Sequence, residues 1–322
     1  MKNRSEKKRL DGNSFLLAVT IILFFVMYIA GIIMFGGRGF AKVQNFLNLF
    51  ISNAGLIVVA TGMTIVMITG GIDISVGSVV AMVCMMLAWM MERGNIGAFP
   101  AILIVLATGC IFGLVQGFLV AYLKIQPFIV TLATMNVAKG LAYVYTGGSP
   151  VRVVTKEWQF LGAGYVGGVP TPVILLAVVL VITAIIMNKT KLGRHIYAVG
   201  GNSQAARFSG ISTAKVKFLV HTYSGIMAGL AGVVLASRMY SGQPTAGDGA
   251  EMDAIAAVVV GGTSMAGGSG KIGGTIIGGL IIGVLNNGLN LLNVNSFWQY
   301  VVKGTVILLA VFVDYLRNKK AE

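Results

Sequence analysis

The chain has 322 residues, of which 56% are hydrophobic and only 11% charged, with a net charge of +14 and a mean hydropathy of +0.86. A soluble globular domain carries roughly a quarter charged residues. Residues 43–72, 94–123, 158–188 and 272–302 are free of Asp, Glu, Lys and Arg, and a membrane-spanning helix needs only ~20 apolar residues. A soluble domain is therefore excluded, and the expected fold class is all-α: a polytopic transmembrane helical bundle. The excess cations fit loops that set membrane orientation better than a nucleic-acid partner. Cys84 and Cys110 lie inside apolar runs and read as small fillers, and His195 and His221 stand apart from any ligand cluster. Neither metal chemistry nor catalysis is expected.

The pattern of apolar runs predicts ten membrane segments, near 14–36, 48–70, 75–91, 98–122, 126–147, 170–187, 214–237, 253–267, 273–290 and 299–316. The basic start MKNRSEKKRL precedes an apolar run that is longer than a signal-peptide core and has no small-residue cleavage site after it, so a retained signal anchor is expected. The segments at 75–91 and 253–267 are short and glycine-flanked, which fits broken or re-entrant helices. With the N-terminus inside and strict alternation, sixteen of the 24 Lys and Arg residues fall inside and six outside, leaving Lys139 and Lys303 within segments. That asymmetry supports the orientation and places both ends in the cytoplasm. Residues 1–13 and 317–322 are then cytoplasmic tails, and 14–316 form the transmembrane domain, with a cytoplasmic loop at 188–213. Lys139 and Lys303 are expected to snorkel to a membrane surface rather than pair internally.

The stretch GGTSMAGGSGKIGGT, residues 261–275, imitates a nucleotide-binding loop through Gly268, Gly270 and Gly273. The phosphate-loop pattern fails, because Met265 and Ile272 stand where it requires Gly and Ser or Thr, and a charge-free run follows in place of a βαβ unit. Gly274/Gly278, Gly279/Gly283 and the pair Gly267 and Gly268 read instead as small residues that let helices approach closely. GGIDISVGS also faintly echoes GGTSMAGGSG, which raises an internal duplication as one possibility.

Several polar residues stand in apolar surroundings. Asp73, in TGGIDISVGS, marks a pathway or a pairing partner, although Asp73 or Ser75 capping the next helix is the simpler account. Ser75, Asn136, Asn286, Asn287 and Asn290 join Asp73 as candidate lining of a solute pathway. Glu251 and Asp253 suit a helix first turn, with an acidic contact for an outer partner as the sharper alternative, and Arg152 lies in the same outer region. Phe297, Trp298 and Tyr300 read as an interfacial aromatic belt. In the inside loop, Gln204, Ala205, Ala206 and Gly210 form a short small-residue helix with a glycine stop, suited to packing as a knob in a groove of another protein.

On its motifs the chain resembles the membrane permeases of bacterial ABC importers for monosaccharides of the ribose, galactose and xylose type. The matching stretches are TGGIDISVGS (69–78), QPFIVTLATM (126–135), GRHIYAVGGNSQAARFSGI (193–211), DAIAAVVVGGTSMAGGSG (253–270) and NNGLNLLNVNSFWQYVVKGTVILLAVFVD (286–314). The resemblance implies a permease of the bacterial inner membrane that takes sugar from a periplasmic or lipid-anchored binding protein. It also implies a homodimer, or a pair with a paralogous permease, coupled to cytoplasmic ATPase subunits. The chain would then need no cofactor, ATP being used by the partner. Residues 202–211 match the family's coupling helix, so that Asn202, Gln204, Ala205, Ala206, Arg207, Gly210 and Ile211 would meet the ATPase. Gln204 stands where members often carry Glu, which removes a charge from that contact. Arg152, Glu251 and Asp253 would face the binding protein. From composition alone, an ion-gradient-driven secondary transporter using Asp73 or Lys139 remains the alternative.

Overall fold

The computed structural model describes residues 12–153 and 155–319. Among them, ten helices correspond to the ten expected segments. They are α1 (Gly12–Phe35), α2 (Val43–Ile68), α3 (Val76–Glu92), α4 (Ala98–Ala121), α5 (Pro127–Val144), α7 (Thr171–Lys189), α10 (Thr213–Met239), α11 (Ala250–Val260), α12 (Ile272–Leu291) and α13 (Ser296–Lys319). Three shorter helices lie in the two long loops: α6 (Lys156–Ala163) before α7, and α8 (Lys191–Gly201) and α9 (Ser203–Phe208) before α10. Eight helices are long and apolar enough to cross a membrane. The two short segments differ from each other. α3 has 17 residues, whereas α11 has 11, about 16 Å at 1.5 Å per residue, or half the hydrocarbon thickness. Most of the expected 1–13 tail lies outside the described residues, as do residues 320–322, and α13 continues as helix to Lys319.

The packing repeats itself. α10 lies against α2, α3 and α4, while α2 lies against α10, α11 and α12; α3 packs on α5 as α11 packs on α13. The units α2–α5 and α10–α13 therefore match in order and contacts. Four membrane segments (α3, α4, α5 and α7) lie between α2 and α10, so alternation runs the two units in opposite directions, an inverted repeat. The equivalent breaks are 69–75, after α2, and 240–249, after α10. The echo of GGIDISVGS falls elsewhere: residues 261–271 follow α11 as 93–97 follow α3, so they are not the counterpart of 69–75. Similar glycine composition at two unrelated breaks produced the false match.

Small residues set the helix spacing. Gly274 and Gly278 face α11, where a Cβ on Gly278 would lie 1.9 Å from the Ala257 carbonyl oxygen, and Gly279 and Gly283 face Ile57 and Asn53 of α2. Those two pairs act as expected; Gly267 and Gly268 belong to a loop with positive φ and not to a helix face. A third stripe, Gly109, Gly113 and Gly117 on α4, meets α10 backbone to backbone at Gly225, His221 and Phe218. In lipid, such close approach supplies the van der Waals contact that hydrophobic burial cannot.

The outer loop is ordered by two strands, β1 (Val151–Arg152) and β4 (Ser241–Gly242), paired antiparallel, and β2 (Tyr165–Val166) pairs with β3 (Val169–Pro170). Trp158 of α6 is fully buried, and its carbonyl accepts the Ser237 hydroxyl.

Candidate functional site: the coupling loop and the polar break

The cytoplasmic loop is built by local capping. Thr190 Oγ1 accepts the Gly193 amide at the start of α8, and Asn202 Oδ1 accepts the Ala205 amide at the start of α9 (2.9 Å), each relieving an orphan helix donor. α9 ends at Gly210, whose φ of +81° places it in the left-handed region. Its amide bonds to the Arg207 carbonyl and the Ile211 amide to the Ala206 carbonyl, both at 3.0 Å. That double closure is the Schellman arrangement, in which glycine is favoured.

Of the six α9 residues only Ala206 is buried (5% exposed), packed with Ile196, Val199, Val216 and Val220, with Ile211 beside them. Gln204, Ala205 and Arg207 are exposed, and Phe208 is 91% exposed. The expectation that both alanines form the outward knob is corrected for Ala206, which ties the loop to the bundle. Phe208 is the large apolar group on offer, and it was missed because an aromatic in a basic loop carries no periodic signal.

Besides its buried Ile196 and Val199, α8 meets the bundle backbone to backbone. A Cβ on Gly200 would lie 1.7 Å from the Ile68 carbonyl oxygen, which in turn accepts the Gly268 amide at 2.9 Å. The half-buried Tyr197 hydroxyl donates to the Gly270 carbonyl (2.8 Å), and burial raises its pKa. The glycine-rich stretch 261–271 is thus the surface where α8 meets the end of α2, which is also where the break at 69–75 begins.

At that break Asp73 is 1% exposed. Its Oδ1 accepts the Ser75 amide (3.1 Å) and hydroxyl (2.6 Å), and its Oδ2 accepts the Ser224 hydroxyl of α10 (2.8 Å). Gln116 of α4 donates to Ser75 Oγ (2.6 Å) and to Thr134 Oγ1 of α5 (2.9 Å). His221 is buried nearby, with Nδ1 on the Lys217 carbonyl. Non-helical backbone at membrane depth persists only where protein satisfies it, and here three helices do so. Asp73 takes the amide ahead of α3 as an Asx-type turn, and Ser75 serves as a bridge between helices.

The remaining candidates divide. Asp253 and Asn286 come together: Asp253 Oδ2 accepts from Lys303 Nζ (2.9 Å) and lies 3.4 Å from Asn286 Nδ2. Asn287 reaches Asn45 at 3.5 Å, Asn290 is exposed and accepts from Gln299, and Asn136 is exposed on α5, bonded to its own helix. Glu251 points inward, with Oε2 2.1 Å from where a Cβ on Gly77 would sit. Arg152 is exposed on the ordered outer loop. Lys139 bonds to Asp248 in a part-exposed pair, and Lys303 bonds to Asp253 in a mostly shielded one, so each lysine has an acidic partner within the chain. The sequence hides this because each partner acid is some 50 or more residues away in the chain.

A bundle of apolar helices with repeated packing, a buried polar break and a projecting short helix makes a polytopic helical membrane protein. The profile of the family described as "Branched-chain amino acid transport system / permease component" matches residues 45–311, and the chain belongs to that family. It is 45% identical to the ribose import permease protein of Bacillus subtilis, over 99% of this chain and 98% of that one. It is 44% identical to the ribose import permease protein of Escherichia coli (87% and 88% covered) and 39% identical to the L-arabinose transport system permease protein of Escherichia coli (93% and 90% covered). No solved structure matches the chain. The chain is a multi-pass permease of the bacterial inner membrane and a transport subunit, not an enzyme. Membership implies work alongside an ATPase and a binding protein.

Proposed function

We infer that this chain forms the transmembrane pathway for a pentose, with D-ribose the first candidate, in an ATP-driven importer. The reading of the substrate rests on the similarity to ribose and arabinose permeases over nearly the whole chain. Ion-gradient transport through Asp73 is not favoured by the family match and by the similarity to permeases of import systems.

The observation that carries the coupling is α9 itself, with Phe208 outward and Ala206 inward. An ATPase subunit seated on Phe208, Ala205 and Gln204 moves α9; Ala206 and Ile211 pass that motion to α8 and the foot of α10. The Gly200–Ile68 contact passes it to the break at 69–75, where Asp73 holds α3 to α10. Packed elements with discrete arrangements transmit motion in this way. ATP is bound by the partner, and this chain needs no cofactor. Two copies, or one copy with a paralogous permease, would meet two ATPase subunits. The exposed outer loop carrying Arg152 is the surface for the binding protein; Glu251 and Asp253, turned inward, are not part of it.

The test is reconstitution of the chain with its ATPase and binding protein in liposomes, offering D-ribose, L-arabinose and L-leucine. ATP-dependent ribose uptake is expected. Uptake of leucine alone, or uptake under an ion gradient without ATP, would refute the reading.

A further inference from the structure

Where α4 turns into α5, a cavity of about 540 Å³ opens between that turn and the start of α10. Lys124 of the turn, Arg207 of α9 and half-buried Lys217 of α10 give it three cations from three separate stretches of chain. No acid lines it, and among the described residues none of the three bonds to a carboxylate. Elsewhere in the bundle, Lys139 and Lys303 each have an acidic partner. Ser212, Thr213 and Ala214 also line the cavity. The Ser212 hydroxyl caps the Lys215 amide, and the Thr213 and Ala214 amides take no hydrogen bond among the described residues. The positive end of a 27-residue helix therefore faces the same space. At ~30 Å³ per water the volume corresponds to about eighteen waters, room for a phosphate-ester headgroup.

The surroundings select the kind of anion. The Tyr122 ring lies 5.7 Å from that of Phe118 and 5.8 Å from that of Phe218, centroid to centroid, an aromatic cluster of the sort that collects at the membrane–water boundary. Leu123 and Ile125, on either side of Lys124, are exposed, as are Phe128 and Ile129 at the start of α5. An apolar surface fit for acyl chains thus runs on from the charged cavity. A soluble anion would meet the cations and leave that surface uncovered, whereas a phospholipid covers both. Basic pockets between membrane helices bind anionic headgroups in this way. Lys124 is also held there against conformational preference. It is the left-handed residue that ends α4 (φ +57°), with the Ile125 amide closing on the Leu119 carbonyl at 3.2 Å, and glycine is favoured in that place.

We propose that this cavity binds the phosphate headgroup of an anionic phospholipid, with Lys124, Arg207 and Lys217 as its counter-charges and the α4–α5 surface as the seat of its acyl chains. The bound lipid joins the α4–α5 turn to the loop before α10. The site lies outside the solute pathway and stands whichever sugar is carried.

The intact complex of the chain with its ATPase, stripped of lipid in detergent, is titrated with dioleoylphosphatidylglycerol or dioleoylphosphatidylcholine, and retained lipid is counted by native mass spectrometry. Phosphatidylglycerol is retained and phosphatidylcholine is not. Lys124→Gly suits the left-handed backbone, so it keeps the melting temperature and the ATPase. It weakens retention about fivefold, the equivalent of the ~1 kcal/mol of one basic residue at an anionic surface. Adding Lys217→Gln brings the loss to about twenty-fivefold. Equal retention by native and double-variant complexes would overturn the proposal. Displacement by equimolar inorganic phosphate would assign the cavity to a free anion and also overturn it. So would loss of the ATPase from Lys124→Gly with retention unchanged, which assigns the cations to the partner chain. If the double variant fails to assemble, the native complex decides. Phosphatidylglycerol with a photoreactive headgroup labels residues 122–129 or 207–217 when the cavity holds it; labelling spread evenly over the other helices overturns the site.

Discussion

Asp73 and Ser224 are 151 residues apart in the chain, yet their side chains meet at 2.8 Å inside the bundle. The bond joins the break of the first inverted unit to the first helix of the second. It lies on the line from the coupling loop to the outer half, so it is the natural point for a motion begun at α9 to reach α10.

Removing the carboxylate tests that bond. Asp73→Ala strips three hydrogen bonds and leaves Ser75 and Ser224 unsatisfied, which should cost about 3 kcal/mol or more. Ser224→Ala removes one bond and should cost about 1 kcal/mol. Thermal unfolding in detergent ranks the two, and the double variant should be no less stable than Asp73→Ala by more than a few tenths of a kcal/mol, because the contact is already gone. Additive losses would show that the two residues do not interact.

At the coupling loop two neighbouring residues should behave oppositely. Phe208→Ser changes an exposed side chain, so the chain should keep its melting temperature and lose the ATPase on purification. Ala206→Glu buries a charge among Ile196, Val199 and Val220 and should instead lower the melting temperature. Retention of the ATPase by Phe208→Ser would remove Phe208 from the contact.

Gly210 and Gly200 test how the loop is held. Gly210→Ala forces a Cβ into a left-handed conformation at a cost of about 1 kcal/mol, and Gly210→Pro cannot adopt the observed φ of +81° at all. Both should insert in the membrane, with uptake reduced in the first and lost in the second. Gly200→Ala drives a methyl into the Ile68 carbonyl, whereas a Cβ at Gly201 meets nothing within 4 Å. Limited proteolysis within 190–212 should therefore rise for Gly200→Ala and stay unchanged for Gly201→Ala.

The Lys303–Asp253 pair is mostly shielded, at 22% and 15% side-chain exposure. Lys303→Met alone leaves a carboxylate without its cation and should destabilise by about 2 kcal/mol, below the 3–5 of a fully buried pair. Lys303→Met with Asp253→Asn should recover most of that loss in melting temperature. No recovery would mean that Lys303 acts through packing of its stem.

The sequence by itself determined that this is a helical membrane protein, the places and order of its ten apolar segments, and the short small-residue helix in the loop before α10. All of these follow from local signals: runs of apolar residues, caps such as Asn202 and stops such as Gly210. Tertiary structure alone decided which way each residue of α9 faces, turning Ala206 in and Phe208 out. It alone paired Lys139 with Asp248 and Lys303 with Asp253, joined Asp73 to Ser224, and gathered Lys124, Arg207 and Lys217 around one cavity. It also located the true repeat at 240–249, where composition had suggested 261–270. The physical reason is range. Hydropathy and capping act over a few residues along the chain, whereas a hydrogen bond or an ion pair forms between whichever groups helix packing brings within about 3 Å.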